Sequence, residues 1–333
     1  MRRDVARRMA VTAGAFVAAG VAASVVNDKR RDRRRLRRGE DVEFGTVHSP
    51  AFTITGHDGT AINVEVDEPP GGADLTAVFL HGWMCTLDTW HYQRLALRGT
   101  PGLRMVFMDH RGHGGSGRSR AAGSTLVDLA KDVAIVLQRV VPEGPLVLVG
   151  HSMGGMTIQR LAIDEPSLFG DRIQGVALVG TSSGRLLQSS PALTVLVPLL
   201  RAIRPAMDWG RSFNSYSVLR RWAVGPEAEP KHIDMCDEMI LRARSNVIFD
   251  FHRNFVGLDL TSGHEALGRA RTVVVGGPYD QLTPYSHSER LAESIPGARL
   301  VTVEGAGHMM MFEQHETVTE AIEQLIDQVR SHR

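Results

Sequence analysis

Eight short apolar runs, separated by longer stretches of helical periodicity, limit what this chain can fold into more than any other feature. They are residues 51–56, 61–66, 76–82, 104–110, 145–150, 175–180, 272–277 and 299–305. The later ones, such as PLVLVG, GVALVG and TVVVGG, are apolar at every position instead of alternating. Strands covered on both faces of a parallel sheet read this way. The intervening segments carry the other period. In 124–140, Leu126, Leu129, Val133, Val136, Leu137 and Val140 recur on one helical face. Strand–helix alternation of this kind predicts a doubly wound, mostly parallel α/β sheet flanked by helices. The first two runs surround HDGT, so Gly59 predicts a hairpin there.

One interval breaks the rhythm. Between Gly180 and Thr272 no sheet-like run occurs, and Pro191, Pro198, Pro205, Pro226 and Pro230 punctuate helix-like sequence. An ordinary connection is far shorter, and the strand pattern resumes afterwards. The expected organisation is a core over 50–183 and 271–330, with a helical insertion over 184–270.

The N-terminus is a separate object. Residues 1–38 carry twelve Lys and Arg against three Asp, net +9, so within a total of +1 the rest of the chain is net −8. Residues 9–26 hold no charge, and a basic run, 29–38, follows. As a helix the uncharged stretch would be ~27 Å long, marginally enough to cross hydrocarbon. Membrane association through 1–38, single-pass or peripheral with the body in the cytoplasm, is the expectation; a cleaved export signal is the alternative. The mildly acidic body offers no general nucleic-acid surface. Two cysteines, Cys85 and Cys236, exclude a disulfide scaffold and a thiolate-rich zinc site.

G-x-S-x-G occurs twice, as GHSMG at 150–154 and GTSSG at 180–184. Context separates them. Ser152 lies between an apolar strand and an apolar helical pattern, where a strained turn would expose its hydroxyl at a helix N-terminus. Ser182 leads only into the insertion. A serine nucleophile needs a base, and the base an orienting acid. Asp280 follows the strand-like TVVVGG, and His308 follows RLVTVEG. In a parallel sheet the loops at the C-terminal ends of strands gather at one edge.

With these motifs the chain resembles the α/β-hydrolase fold superfamily over about residues 50–330. HGW at 81–83 looks like its oxyanion turn, DHRGHGGSGRS at 109–119 like its D-x-R-G-x-G-x-S loop, and GHSMGG like its nucleophile elbow. DQLTP at 280–284 and GAGH at 305–308 match its acid and base loops, in the order Ser, Asp, His. The resemblance implies Ser152 as nucleophile, Asp280 as acid and His308 as base. It also implies backbone N–H groups of Trp83 and Met153 as the oxyanion hole, and 184–270 as a cap.

Serine at 152, where epoxide hydrolases and haloalkane dehalogenases of this fold carry Asp, points to acyl transfer on a small-molecule ester or related substrate. No metal or organic cofactor is expected. A cofactor-free perhydrolase, a carbon–carbon bond hydrolase and a noncatalytic binding or signalling protein of the same fold are the alternatives. The apolar stretch 193–200 with Trp209, Phe213, Trp222 and Phe255 is expected to wall an acyl pocket. His81, His110, His113 and His151 are read as structural, Cys85 as a buried loop thiol, and Met309, Met310 and Met311 as core or pocket lining.

Overall fold

A computed structural model of the chain describes residues 42–118, 124–190, 215–243 and 245–332. Each of the eight apolar runs forms a strand: β1 (Phe52–Thr55), β2 (Ala61–Asp67), β3 (Leu75–Leu80), β4 (Leu103–Met108), β5 (Leu146–His151), β6 (Ile173–Val179), β7 (Arg271–Gly276) and β8 (Arg299–Thr302). They make one sheet in the order β1-β2-β4-β3-β5-β6-β7-β8. β1 and β2 form the expected hairpin, β2 also pairs antiparallel with β4, and the remaining pairs are parallel. Gly59 supplies the positive φ (86°) that the hairpin turn needs. β8 stops at Thr302, short of the expected 305, because the chain turns through Gly305 at φ 74°.

The helices follow in chain order: α1 (His91–Leu97), α2 (Leu126–Val140), α3 (Met153–Asp164), α4 (Leu186–Ser189), α5 (Ser215–Trp222), α6 (Pro230–Arg242), α7 (Ser245–His252), α8 (His264–Leu267), α9 (Ser286–Ser294), α10 (Met310–Glu313) and α11 (His315–Arg330). Successive β3 side chains go to opposite faces. Leu75, Ala77 and Phe79 join the layer that includes Leu97 of α1 and Val318, Ile322 and Leu325 of α11. Val78 and Leu80 join Val133, Val136 and Leu137 of α2 with Ile158 and Leu161 of α3. Both faces of β3 are thus covered, which is why Thr76 is its one polar residue and no polar face alternates along it. α2 begins with a capping box, Thr125 and Asp128 each bonding the other's backbone N–H.

The cap is inserted between β6 and β7. Its two stems lie side by side: Gly184 bridges Asp259, and Leu260 N–H donates to Ser183 O at 2.8 Å. α6 lies over the core segment 87–97 through soft contacts. The Thr89 hydroxyl donates to Met239 Sδ at 3.4 Å, and the Tyr92 hydroxyl to Met235 Sδ at 3.7 Å. Cys236 on this face and Cys85 beneath it are both buried and free. Burial pushes the Cys85 thiol up to about 12, so it is no nucleophile at neutral pH.

No helix among the described residues is long and apolar enough to cross a membrane. His315–Arg330, at 16 residues, is amphipathic and packs one face on the sheet, whereas a span needs about 20 apolar residues. The expectation of a single-pass protein is corrected by this finding to a described body without a membrane-crossing helix. Residues 1–38, with their uncharged stretch 9–26, lie outside the described residues, as do 193–200, Trp209 and Phe213.

Candidate active site

Ser152 joins β5 to α3 in a backbone conformation that L-residues avoid, φ 52° and ψ −114°. Such a residue stores about 1–3 kcal/mol of strain and persists only where its surroundings fix it. Here they do. Ser152 N–H donates to Val179 O at 2.9 Å, and the Thr181 hydroxyl donates to Ser152 O at 2.7 Å. α3 can start this abruptly because Gly154 lies against β3, where a Cβ would fall 2.2 Å from Leu80 O. Met153 is the first helical residue, so its N–H has no acceptor within the helix.

The turn after β3 lies directly over the serine. A Cβ on Gly82 would come within 3.2 Å of Ser152 Cβ. Two histidines shape this turn. His81 Nδ1–H donates to Gly82 O at 2.7 Å, and its Nε2 accepts from His110 N–H at 3.0 Å. His113 Nε2 accepts from Met84 N–H at 3.1 Å, holding Met84 at φ 64°. Each needs one bare ring nitrogen, and burial keeps it that way, pushing His81 down to about 4 and His113 down to about 3. The Asp109 carboxylate ties the same loop to the one after β4, accepting from Leu87 N–H at 2.9 Å and Gly115 N–H at 2.8 Å. The Trp83 indole N–H donates to Val247 O at 3.1 Å, and its ring meets Phe255 edge-on at 5.4 Å. Trp83 therefore fastens the turn to the cap.

Asp280 and His308 come from the loops after β7 and β8. His308 Nδ1–H donates to Asp280 Oδ2 at 2.8 Å, which leaves Nε2 as the lone-pair nitrogen. Asp280 Oδ1 accepts from Leu282 N–H and Thr283 N–H, both at 2.8 Å. The Thr283 hydroxyl lies 2.7 Å from Asp280 Oδ2 and 2.8 Å from Gly180 O. His151 connects the elbow to the base loop: its Nε2–H donates to His308 O at 3.1 Å, and the two ring centroids are 4.7 Å apart. Burial, and then the charge on His308, push His151 well below the usual histidine range. A neutral His151 leaves a protonated His308 unopposed.

The loops that carry Trp83, Ser152, Asp280 and His308 thus follow the C-terminal ends of β3, β5, β7 and β8, with His308 bonded to Asp280 and, through its carbonyl, to His151 beside Ser152. Ser182 does not join them. Its hydroxyl is fully buried, lies 2.7 Å from His287 Nδ1 and accepts from Gly184 N–H at 3.1 Å. His287 Nε2 lies 2.5 Å from the Ser189 hydroxyl, so this cluster pins the first cap stem to α9. Of the expected cap wall, Phe255 is buried against Trp83, while Trp222 is half-buried with the Arg221 guanidinium over its ring. Sequence reasoning passed over Thr283 and Glu313. Thr283 carried a signal in the DQLTP string. Glu313 ends an apolar run, MMMFE, where a surface position is the ordinary reading. Among the described residues no group of His, Cys, Asp and Glu is placed to hold a metal ion.

The profile of the "Alpha/beta hydrolase family" matches residues 77–321. The dihydrolipoyllysine-residue acetyltransferase component of the acetoin cleaving system of Cupriavidus necator is 30% identical over 76% of this chain, which spans 63% of that relative's length. Among solved structures, a thermophilic esterase from Thermogutta terrifontis superposes with a TM-score of 0.69 at 25% identity, covering 84% of this chain and 99% of the esterase. An esterase from Exiguobacterium antarcticum gives the same TM-score at 23% identity, over 84% and 100% of the two chains, a likeness of fold.

Proposed function

The chain belongs to the alpha/beta hydrolase family, and from that footing we propose that it is a serine hydrolase cleaving carboxylic ester or related acyl bonds through an acyl-enzyme on Ser152. The observation that carries this reading is the 2.8 Å bond from His308 Nδ1–H to a fully engaged Asp280, taken together with the strained backbone of Ser152 at the strand-to-helix turn. The relatives' names agree with it in kind, speaking of an acetyltransferase component and of esterases.

In this mechanism the Ser152 hydroxyl attacks the substrate carbonyl carbon while His308 Nε2 takes its proton. Asp280 fixes the tautomer and stabilises the imidazolium. The carbonyl oxygen becomes an oxyanion and accepts from Trp83 N–H and Met153 N–H, with the positive end of α3 aimed at it. His308 then gives its proton to the leaving alkoxide, which departs as the alcohol. Water, deprotonated by the same nitrogen, attacks the acyl-enzyme, and the acid leaves with Ser152 restored. The apolar group of Leu126, Met153, Met156, Val247, Phe251 and Phe255 is the proposed acyl-side wall.

The test is ester turnover with labelling by a fluorophosphonate. Ser152→Ala and His308→Ala should each lower kcat by roughly four to six orders of magnitude, the double variant hardly further, because the residues act as a unit. Asp280→Asn should cost less, having left the nucleophile in place. Turnover surviving in Ser152→Ala, or the label landing on Ser182, would sink the assignment.

A further inference from the structure

Where the chain passes from α5 back toward α6, it runs against the base loop with almost no space between the two backbones. Ala223 O accepts from both His308 N–H, at 3.0 Å, and Met309 N–H, at 3.1 Å. A Cβ on Gly225 would fall 2.1 Å from Gly305 O, and one on Gly307 would fall 2.5 Å from Val224 C. One carboxylate closes this seam. Glu313 Oε2 accepts from Gly225 N–H at 2.6 Å, and Gly307 N–H donates to both of its oxygens at 3.1 Å. Glu313 is buried, yet its bonds run to backbone amides instead of to a cation.

We propose that Glu313 is a positioning residue of the site, its carboxylate clamping the base loop at Gly307 to the cap at Gly225 so that His308 is aligned only while the cap is seated. This rests on the role given to His308 above. Two effects run through the clamp. Gly307 precedes His308 directly, so its amide sets where the imidazole starts. The second effect is electrostatic. The charge on His308 pulls the Glu313 carboxyl down, so an ionised Glu313 lies where it attracts the imidazolium that the transition state creates.

The group is poised to titrate. Burial pushes the Glu313 carboxyl up to about 7; the Gly225 and Gly307 amides pull it down, Asp280 raises it and His308 lowers it. The other ionisable groups facing the seam are Cys236, whose thiol feels Glu313 and stays neutral through burial, Arg220, bonded to Gly225 O, and Glu227, beside Gly305. Below about pH 7 the protonated carboxyl has one oxygen fewer for the amides, and the clamp loosens. Fold stability follows the opposite sense. A carboxyl raised from 4.5 to about 7 contributes stability at low pH that is lost as pH rises through that window.

That opposition makes the test specific. In Glu313→Gln the amide oxygen can accept from one of the two N–H groups while its NH₂ opposes the other. On the full chain with a p-nitrophenyl ester, Glu313→Gln should lower kcat about tenfold at about pH 8 and leave KM within about twofold. Its melting temperature at that pH should equal or exceed the wild type's. Protonating Glu313 loosens the wild-type clamp as well, so the tenfold gap between wild type and Glu313→Gln should close as pH falls through about 7, the wild-type limb running steeper than a slope of about 1 there and that of Glu313→Gln keeping a slope of about 1. Wild-type kcat and limb in Glu313→Gln would overturn the proposal, and so would a loss of kcat that merely tracks a lower melting temperature. If Glu313→Gln does not fold, the wild-type limb decides alone: a slope steeper than about 1 near pH 7 that relaxes to about 1 below it supports the clamp, and a uniform slope of about 1 overturns it. Turnover surviving in Ser152→Ala would remove the reading beneath the proposal. A dead Ser152→Ala beside a silent Glu313→Gln would remove the clamp only.

Discussion

Asp280 is held by more bonds than orienting one imidazole requires. Two amides fix one oxygen, while Thr283 and His308 share the other. The Thr283 hydroxyl also reaches Gly180 O at the end of β6, so it locks the acid loop to the neighbouring strand. Its proton serves one of these acceptors at a time, and removing it frees the carboxylate to turn. A hydrogen bond to a charged group contributes about 1.5–3 kcal/mol, so Thr283→Val should lower kcat roughly tenfold to a hundredfold, with little change in KM. Steady-state kinetics check this, and an unaltered kcat would show that the two amides suffice. The strand-end positions of Ser152, Asp280 and His308 were legible in the sequence because each sits in a short string with its own backbone requirement. Glu313 was not. Its partners, Gly225 and Gly307, are brought to it by the cap, and nothing local marks a buried carboxylate after three methionines.

Among the elements, the strands were the most legible. An all-apolar run bounded by glycine has few other uses, and every run found its place in the sheet. Their ends were less so, since pairing and turns, not hydrophobicity, end a strand, as Gly305 does for β8. The way α6 sits on the core was not legible at all, because it depends on Met235 and Met239 meeting Tyr92 and Thr89 from distant sequence. The element under most constraint is α3. At Gly154 no side chain fits, since the obstacle is the carbonyl of Leu80, a backbone atom that cannot rotate aside. Gly154→Ala should therefore destabilise the fold by about 1–3 kcal/mol or more, and shift Ser152 enough to lower kcat. Denaturant titration beside turnover checks both, and wild-type values in both would show that α3 moves off the sheet without penalty.

At the scale of the molecule, buried histidines set the response to acid. His81 is down to about 4 and His113 to about 3, and burial also drives His110 and His151 well down. In the unfolded chain each would titrate near 6.5. The unfolded state then binds more protons at any pH between those limits, so stability is full above about 6.5 and lost as pH falls toward about 4. Glu313 works the other way between 4.5 and about 7 but is a single group. The melting temperature should fall by several degrees or more between about pH 7.5 and about pH 5; scanning calorimetry checks this, and a flat or rising curve would contradict it. The cap stands outside that ledger for a topological reason. Because Gly184 and Asp259 are neighbours, the core sees the whole excursion between them as a loop of nearly zero span. The entropy of closing such a loop grows only with the logarithm of its length. A lineage can therefore lengthen, shorten or replace the segment between those two residues without respacing the strands that carry Ser152, Asp280 and His308, and recognition can diverge while the chemistry is inherited intact.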